Sequence, residues 1–123
     1  MSKIVLWVSD LVTQQAFYEA LLGVSNSYQS KEFSSITNDV NTVLLHKLPQ
    51  EYRVETPIRQ QLPIQSEVAI KPIFRVESIE SALVNIVGTL ATIRGEKVLY
   101  GQSTYLDIVD PEGNVIQIEE IQT

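Results

Sequence analysis

A chain of 123 residues with 44% apolar and 20% charged side chains is long enough for one domain with a substantial core and carries no signature of disorder. Its formal charge of −6 and pI near 4.7 argue against a nucleic-acid or anionic-membrane surface, which needs clustered Lys and Arg. The absence of cysteine excludes disulfides, thiolate metal ligands and cysteine nucleophiles. The apolar start, Lys3 to Val8, is too short for a secretion signal and is broken at Ser9–Asp10. No apolar run approaches the ~18 residues of a membrane span, so a cytoplasmic protein is expected.

In chain order, Lys3 to Val8 is rich in β-branched and bulky residues and predicts a strand. Ser9 or Asp10 supplies an N-cap for a helix over Leu11 to Leu22, with Phe17, Ala20 and Leu21 at helical spacing and Gly23 as the C-cap glycine. Short strands follow over Ser25–Lys31, Phe33–Thr37 and Asn41–Lys47, with a turn at Asn38–Asp39. Between Leu48 and Ser66 the chain turns polar and is punctuated by Pro49, Pro57 and Pro63. A connection this long is either functional or wrapped on the surface.

The second half restates the first. Glu67 to Val76 predicts a strand, and Glu77–Ser78 a capping pair. Ile79, Ala82, Leu83, Ile86 and Val87 form the apolar face of a helix that ends at Gly88. Leu90–Ile93, Thr104–Val109 and Val115–Ile121 predict three further strands, the first two separated by a loop from Arg94 to Gly101. Asp110–Pro111–Glu112–Gly113–Asn114 closes the last hairpin, since Pro111 presets φ at the second turn position and Gly113 tolerates φ > 0 at its exit. The fold class is therefore α+β: a duplicated βαβββ unit, with module one at 1–47, a linker at 48–66 and module two at 67–123 in one domain.

Three signatures then carry a resemblance. Val8–Ser9–Asp10–Leu11 is followed by Phe17–Tyr18 and Leu22–Gly23, the topology is duplicated, and Asp110–Pro111–Glu112–Gly113–Asn114 precedes the final strand. In this order and spacing the chain resembles the vicinal oxygen chelate superfamily, the glyoxalase, bleomycin resistance protein and extradiol dioxygenase group. The resemblance implies paired βαβββ modules forming a cupped mixed sheet, and it implies a homodimer, since modules often pair across chains in this group. In the group's enzymes a divalent metal sits in the cup on four side chains, usually His and Glu, from the first and last strand of each module. It chelates adjacent substrate oxygens and acts as a Lewis acid.

Carried over position by position, the His sites fall on Lys3 and Lys71, the last Glu site on Gln117, and the fourth on Leu44 or His46. Lys repels a divalent cation, Gln offers a weak neutral oxygen, and His46 is the only histidine, so a two-His site cannot form within one subunit. The usual metal site is thus not expected and no cofactor is predicted. A divalent metal enters only under the alternative of an atypical lyase or dioxygenase built around His46, Gln117 and Glu119.

Alternation along the strands sends Lys3, Val5 and Trp7 into the cup, together with Lys71, Ile73 and Arg75, and with Gln117 and Glu119 from the last strand. With His46, these nine residues are the candidate ligand-binding set; the metal set is none and the catalytic set is unknown. Three cations beside Trp7 suit a small, anionic molecule. The competing reading pairs those cations with Glu119, Asp107 or linker acids. The function expected is a glyoxalase-like small-molecule-binding protein without the usual metal site. A dimer-forming domain with no ligand is a third alternative.

Overall fold

A computed structural model describes residues 2–25, 27–55 and 57–122. Module one runs β1 (Ser2–Val8), α1 (Leu11–Leu22), β2 (Tyr28–Gln29), β3 (Phe33–Thr37) and β4 (Asn41–Lys47). Module two runs β5 (Ile73–Arg75), α2 (Ile79–Asn85), β6 (Thr92–Tyr100), β7 (Ser103–Val109) and β8 (Val115–Ile121). Each module is an open four-stranded mixed sheet with the same topology. The orders are β1-β4-β3-β2 and β5-β8-β7-β6, and β1 and β5 each run parallel to the last strand of their own module. The duplication expected from the sequence is therefore present at the level of strand order.

Helix α1 forms where its signals place it. Asp10 accepts from the Thr13 amide as N-cap, and Gly23 closes the helix at φ 67° while its own amide and that of Val24 bond back to Ala20 and Glu19. Leu11, Phe17, Tyr18, Leu21 and Leu22 lie on the buried stripe. They meet Val8, Ile36, Val43 and Leu45 from the first sheet and Phe74, Ile108, Ile116 and Ile118 from the second in one continuous core. The rings of Tyr18 and Phe74 meet at 5.9 Å, and α1 packs on α2. The Asn41 side chain, at the start of β4, donates to the Arg75 carbonyl of β5 at 2.9 Å and so ties the two sheets together where no ladder joins them.

The turn before β8 does more than reverse the chain. Asp110 is fully buried, and its carboxylate accepts from the Gln14 amide nitrogen, the Tyr18 hydroxyl, the backbone amides of Glu112 and Asn114, and the Asn114 side chain. Glu112 reaches the start of α1 and accepts from the Ser9 and Asp10 amides at 2.9 Å. The linker wraps onto this same turn. The Leu62 amide donates to the Pro111 carbonyl, the Gln65 amide to the Gly113 carbonyl, and the Ile58 amide to the Asp10 carboxylate. The linker stretch 58–65 is thus held against the turn and the α1 N-cap, and a 3-10 turn lies earlier at Gln50–Tyr52.

Several predicted bounds are corrected. The strand expected over Glu67–Val76 is only Ile73–Arg75: Pro72 has no amide to donate, and only its carbonyl enters the ladder by accepting from Gln117. The strand expected over Ser25–Lys31 shrinks to Tyr28–Gln29, because the Ser30 amide bonds to Phe33 in a tight reversal; Asn26 lies outside the described residues. Val87 is exposed, since α2 ends at Asn85 and its chain turns at Ile86–Gly88. The loop expected from Arg94 to Gly101 is instead the body of β6. A register irregularity between Arg94 and Val98 absorbs Gly95–Glu96–Lys97, and a two-residue turn at Gly101–Gln102 joins β6 to β7. Gly101 has φ 61° and no described non-glycine residue has positive φ, the pattern of a type II′ hairpin with Gly first.

Two outcomes follow for this frame. Gly113 sits at φ 88°, and a Cβ there would run into the Pro63 carbonyl oxygen. Gly113→Ala should therefore cost about 2 kcal/mol or more and lower Tm by roughly 8 °C or more, measured by thermal melting; an unchanged Tm refutes the close packing of linker on turn. Asp10→Ala removes a cap and orphans the Ile58 amide, for about 2 kcal/mol near neutral pH. Burial raises the Asp10 pKa, but the Ile58 and Thr13 hydrogen bonds outweigh it and hold the carboxyl below its ordinary 3.8. A lowered folded pKa contributes stability that is full above the unfolded value and lost as pH falls through the folded one. The gap in denaturant stability between wild type and Asp10→Ala should accordingly be widest above pH 3.8 and narrow below it.

Candidate functional site

Away from β2 and β6, the strands turn one set of side chains to the helices and the other to the open face. On β1, Ile4, Leu6 and Val8 pack inward, while Lys3, Val5 and Trp7 are exposed, as the alternation predicts. The register then sets Leu44 beside Val5 and His46 beside Trp7 on β4, and Phe33 beside His46 on β3. The result is a row of rings across all four strands of the first sheet. Trp7 and His46 lie 5.1 Å apart between centroids, His46 and Phe33 4.9 Å, and Phe33 and Tyr28 5.8 Å. Trp7 ends the row and is 59% exposed, so this is an open shelf of aromatic surface rather than a packed core.

Phe33 and Tyr28 are absent from the sequence-based set. Serines occupy both parities of β3 (Ser34 inside, Ser35 outside), so polarity alone does not say which way Phe33 points. Serine can be buried here because Ser34 donates to the Gln15 side chain, which in turn donates to Gln29. That network is visible only in three dimensions.

The second sheet presents an opposite chemistry. Ile73 and Arg75 of β5 are exposed, as expected, beside Gln117 and Glu119 of β8. Glu119 accepts from the Ser103 hydroxyl at 2.7 Å and the Tyr105 hydroxyl at 3.1 Å, and Arg75 approaches it at 3.6 Å. The Ser103 hydrogen bond, with Tyr105 and Arg75 after it, lowers the Glu119 pKa in spite of a small opposing effect of burial. It is an ionised acceptor and a poor proton-abstracting base near neutral pH. Lys71, just ahead of β5, pairs with Asp107 at 3.2 Å, and Gln117 donates to the same carboxylate at 3.1 Å. Two of the three cations expected to await an anion are therefore neutralised within the wall, as the competing reading had it.

The positions that the resemblance assigns to a metal can be tested on this donor set. Gln117 is committed to Asp107, Lys71 to the same group, and Lys3 offers no lone pair when protonated. His46 lies opposite Trp7, four residues along the strand from the Lys3–Thr42 pair, or roughly 13 Å at ~3.3 Å per residue. The atypical set of His46, Gln117 and Glu119 is not brought together. Glu119 is level with Arg75, whose carbonyl meets Asn41 at the opposite end of β4 from His46. Among the described residues, no three His, Cys, Asp or Glu side chains converge on a metal-sized point. The residues present do not fit the group's metal.

Where the edges of β1 and β5 meet, a cleft of about 190 Å³ is lined by Lys3, Ile4, Asn41, Thr42, Pro72, Ile73 and Phe74. Two roomier grooves lie elsewhere. One of about 770 Å³ runs between the end of α1 and the start of α2, and one of about 650 Å³ lies between α1 and the β2 turn. Neither touches the aromatic row. No helix among the described residues is long and apolar enough to cross a membrane.

No protein-family model matches the chain, and no curated protein matches it in sequence. Solved structures do match it along nearly its whole length. A glyoxalase/bleomycin resistance protein from Albidiferax ferrireducens superposes with a TM-score of 0.72 at 16% identity, covering 98% of this chain and 97% of that one. A glyoxalase family protein from Bacillus cereus gives 0.71 at 17% identity, covering 100% and 94%. A glyoxalase/bleomycin resistance protein/dioxygenase family enzyme from Burkholderia phytofirmans gives 0.67 at 17% identity, covering 98% and 97%. At such identities the likeness establishes architecture, and it agrees with the duplicated strand order: the chain has the fold of the vicinal oxygen chelate superfamily, that of the glyoxalase, bleomycin resistance protein and dioxygenase structures.

Proposed function

We propose that this chain is a small-molecule-binding protein of glyoxalase-like fold that works without the group's usual metal. Its ligand is a small planar molecule held in the cup. The observation that carries this reading is the row Trp7, His46, Phe33 and Tyr28 on the open face of the first sheet, with Trp7 and Tyr28 exposed at its ends and His46 and Phe33 half-buried between them. Apolar rings left on an open face are what a binding surface for a flat organic molecule offers. Its likeness to glyoxalase, bleomycin resistance and dioxygenase family proteins supports a cup that handles small molecules.

A homodimer belongs to this reading, and its support is β6. All nine residues of that edge strand are exposed, including Ile93, Val98, Leu99 and Tyr100, the last at 78%. The corresponding strand of module one, β2, has two residues. Arg94, Glu96 and Lys97 alternate in sign along β6, which suits a self-complementary contact about a two-fold axis with a second copy of the chain.

Trp7 is the sole tryptophan, so its emission reports the shelf directly. A screen of planar aromatic compounds should find members that quench or shift that emission saturably and raise Tm, and Trp7→Ala should weaken them by roughly tenfold in calorimetry. Purified protein should hold far less than one equivalent of Zn, Ni, Mn or Fe by elemental analysis. Stoichiometric metal, or a screen without a single saturable binder, rejects the reading. For the dimer, sedimentation should show a two-chain species that Leu99→Asp converts to one chain; an unaltered species removes β6 from the contact.

A further inference from the structure

Resting on the small-molecule reading above, we infer that Lys3 is the anion-selecting residue of the cup, and that the ligand class is a planar aromatic carboxylate. Three cations face the cup, and two of them are spent. Lys71 is paired with Asp107, and Arg75 with Glu119, each within the second sheet. Lys3 stands on the other side of the seam and has no ion pair among the described residues. It lines the cleft of about 190 Å³ between β1 and β5, a space the size of a carboxylate and part of a ring rather than of a whole large ligand. The remaining lining supplies mainly apolar contacts from Ile4, Pro72, Ile73 and Phe74, which limit the water competing for the ammonium. Three nitrogen-bound hydrogens on a flexible stem suit a carboxylate that approaches from the open face.

The same strand carries the second half of the recognition. Lys3, Val5 and Trp7 share one face of β1, with Val5 between the charge and the ring. Lys3 and Trp7 backbones lie roughly 13 Å apart at ~3.3 Å per residue, and the lysine stem shortens the gap to be spanned. A flat acid therefore lays its ring on Val5 and Trp7 and turns its carboxylate into the seam. The paired cations of the second sheet give no comparable preference for a negative ligand, since each already faces a carboxylate.

The test is a calorimetric comparison of planar aromatic acids, naphthalene-2-carboxylate and its one-ring and three-ring relatives, each against its neutral carboxamide. Wild type should bind acids at least about fivefold more tightly than amides, with the preference shrinking in high salt. Lys3→Met and Lys3→Gln should bind the two alike, while Lys31→Met, a charge loss outside the cup, should keep the preference. Thermal melts of each variant confirm folding, which the exposed Lys3 is not needed for. Acids and amides binding alike in wild type, or a preference that survives both Lys3 variants, overturns the role of Lys3 and leaves the shelf as a binding surface. Binding of no acid and no amide overturns the shelf reading as well.

Discussion

The structure depends on two buried carboxylates that the chain carries on one turn. Asp110 and Glu112 are out of water, and each is met by N–H or O–H groups from the start and inner face of α1, a hundred residues earlier. A buried carboxylate is tolerable only when its lone pairs are satisfied, and here satisfaction fixes the distance and angle between the two modules. The cost shows in the titration. Burial raises the Glu112 pKa despite hydrogen bonds from the Asp10 and Ser9 amides, and the neighbouring Asp110 and Asp10 carboxylates push the same way. The fold thus keeps the Glu112 proton to a higher pH than the unfolded chain does, and ionising it costs stability as pH rises above 4.5, opposite in sign to Asp10. Tyr18, fully enclosed, is raised for the same reasons of burial and the Asp110 charge, and remains a donor throughout the useful pH range.

Because the modules are locked through their inner faces, the outer faces are free to differ, and they do. The first sheet offers rings and aliphatic side chains, and the second offers ion pairs and hydrogen-bonding groups. A symmetric metal cage takes donors from both modules. Here one side provides a lysine and an aromatic row, and the other has folded its donors onto one another. Under the proposed reading, such a cup recognises its ligand by stacking and by charge at the seam.

The two copies of the unit have also diverged in what they leave uncovered. Helix α1 has 12 residues and packs over β3 and β4, whereas α2 has 7 and packs on α1 and, to a lesser extent, on β8. The second sheet therefore ends in a long strand with no cover on either face, while the first ends in a two-residue stub. The Gly95–Lys97 irregularity in β6 interrupts its backbone ladder, which blunts open-ended strand addition and leaves side chains as the means of contact.

What the sequence determined by itself was whatever local chemistry dictates. Asp10 and Gly23 bound α1 to the residue, and alternation placed β3, β4 and β8 and sent Lys3, Val5, Trp7, Ile73 and Arg75 to the open face. The repeat and the closing turn were enough to anticipate the fold. Local rules failed where a residue's state is set by something distant. Residues 94–100 resemble a charged loop, yet pairing with β7 makes them strand, and β5 starts only at Ile73 because Pro72 before it has no amide to give to the ladder. Phe33 joined the site through a parity that the buried Ser34 conceals. The turn at Asp110–Asn114 was legible as a turn, but its role as the junction of both modules and the linker was not, since hydrogen bonds between residues a hundred positions apart leave no periodic trace. Tertiary structure decided which charges were paired: Lys71 and Arg75 met carboxylates across the sheet, and among the described residues no ion pair reaches Lys3, on the far side of the seam.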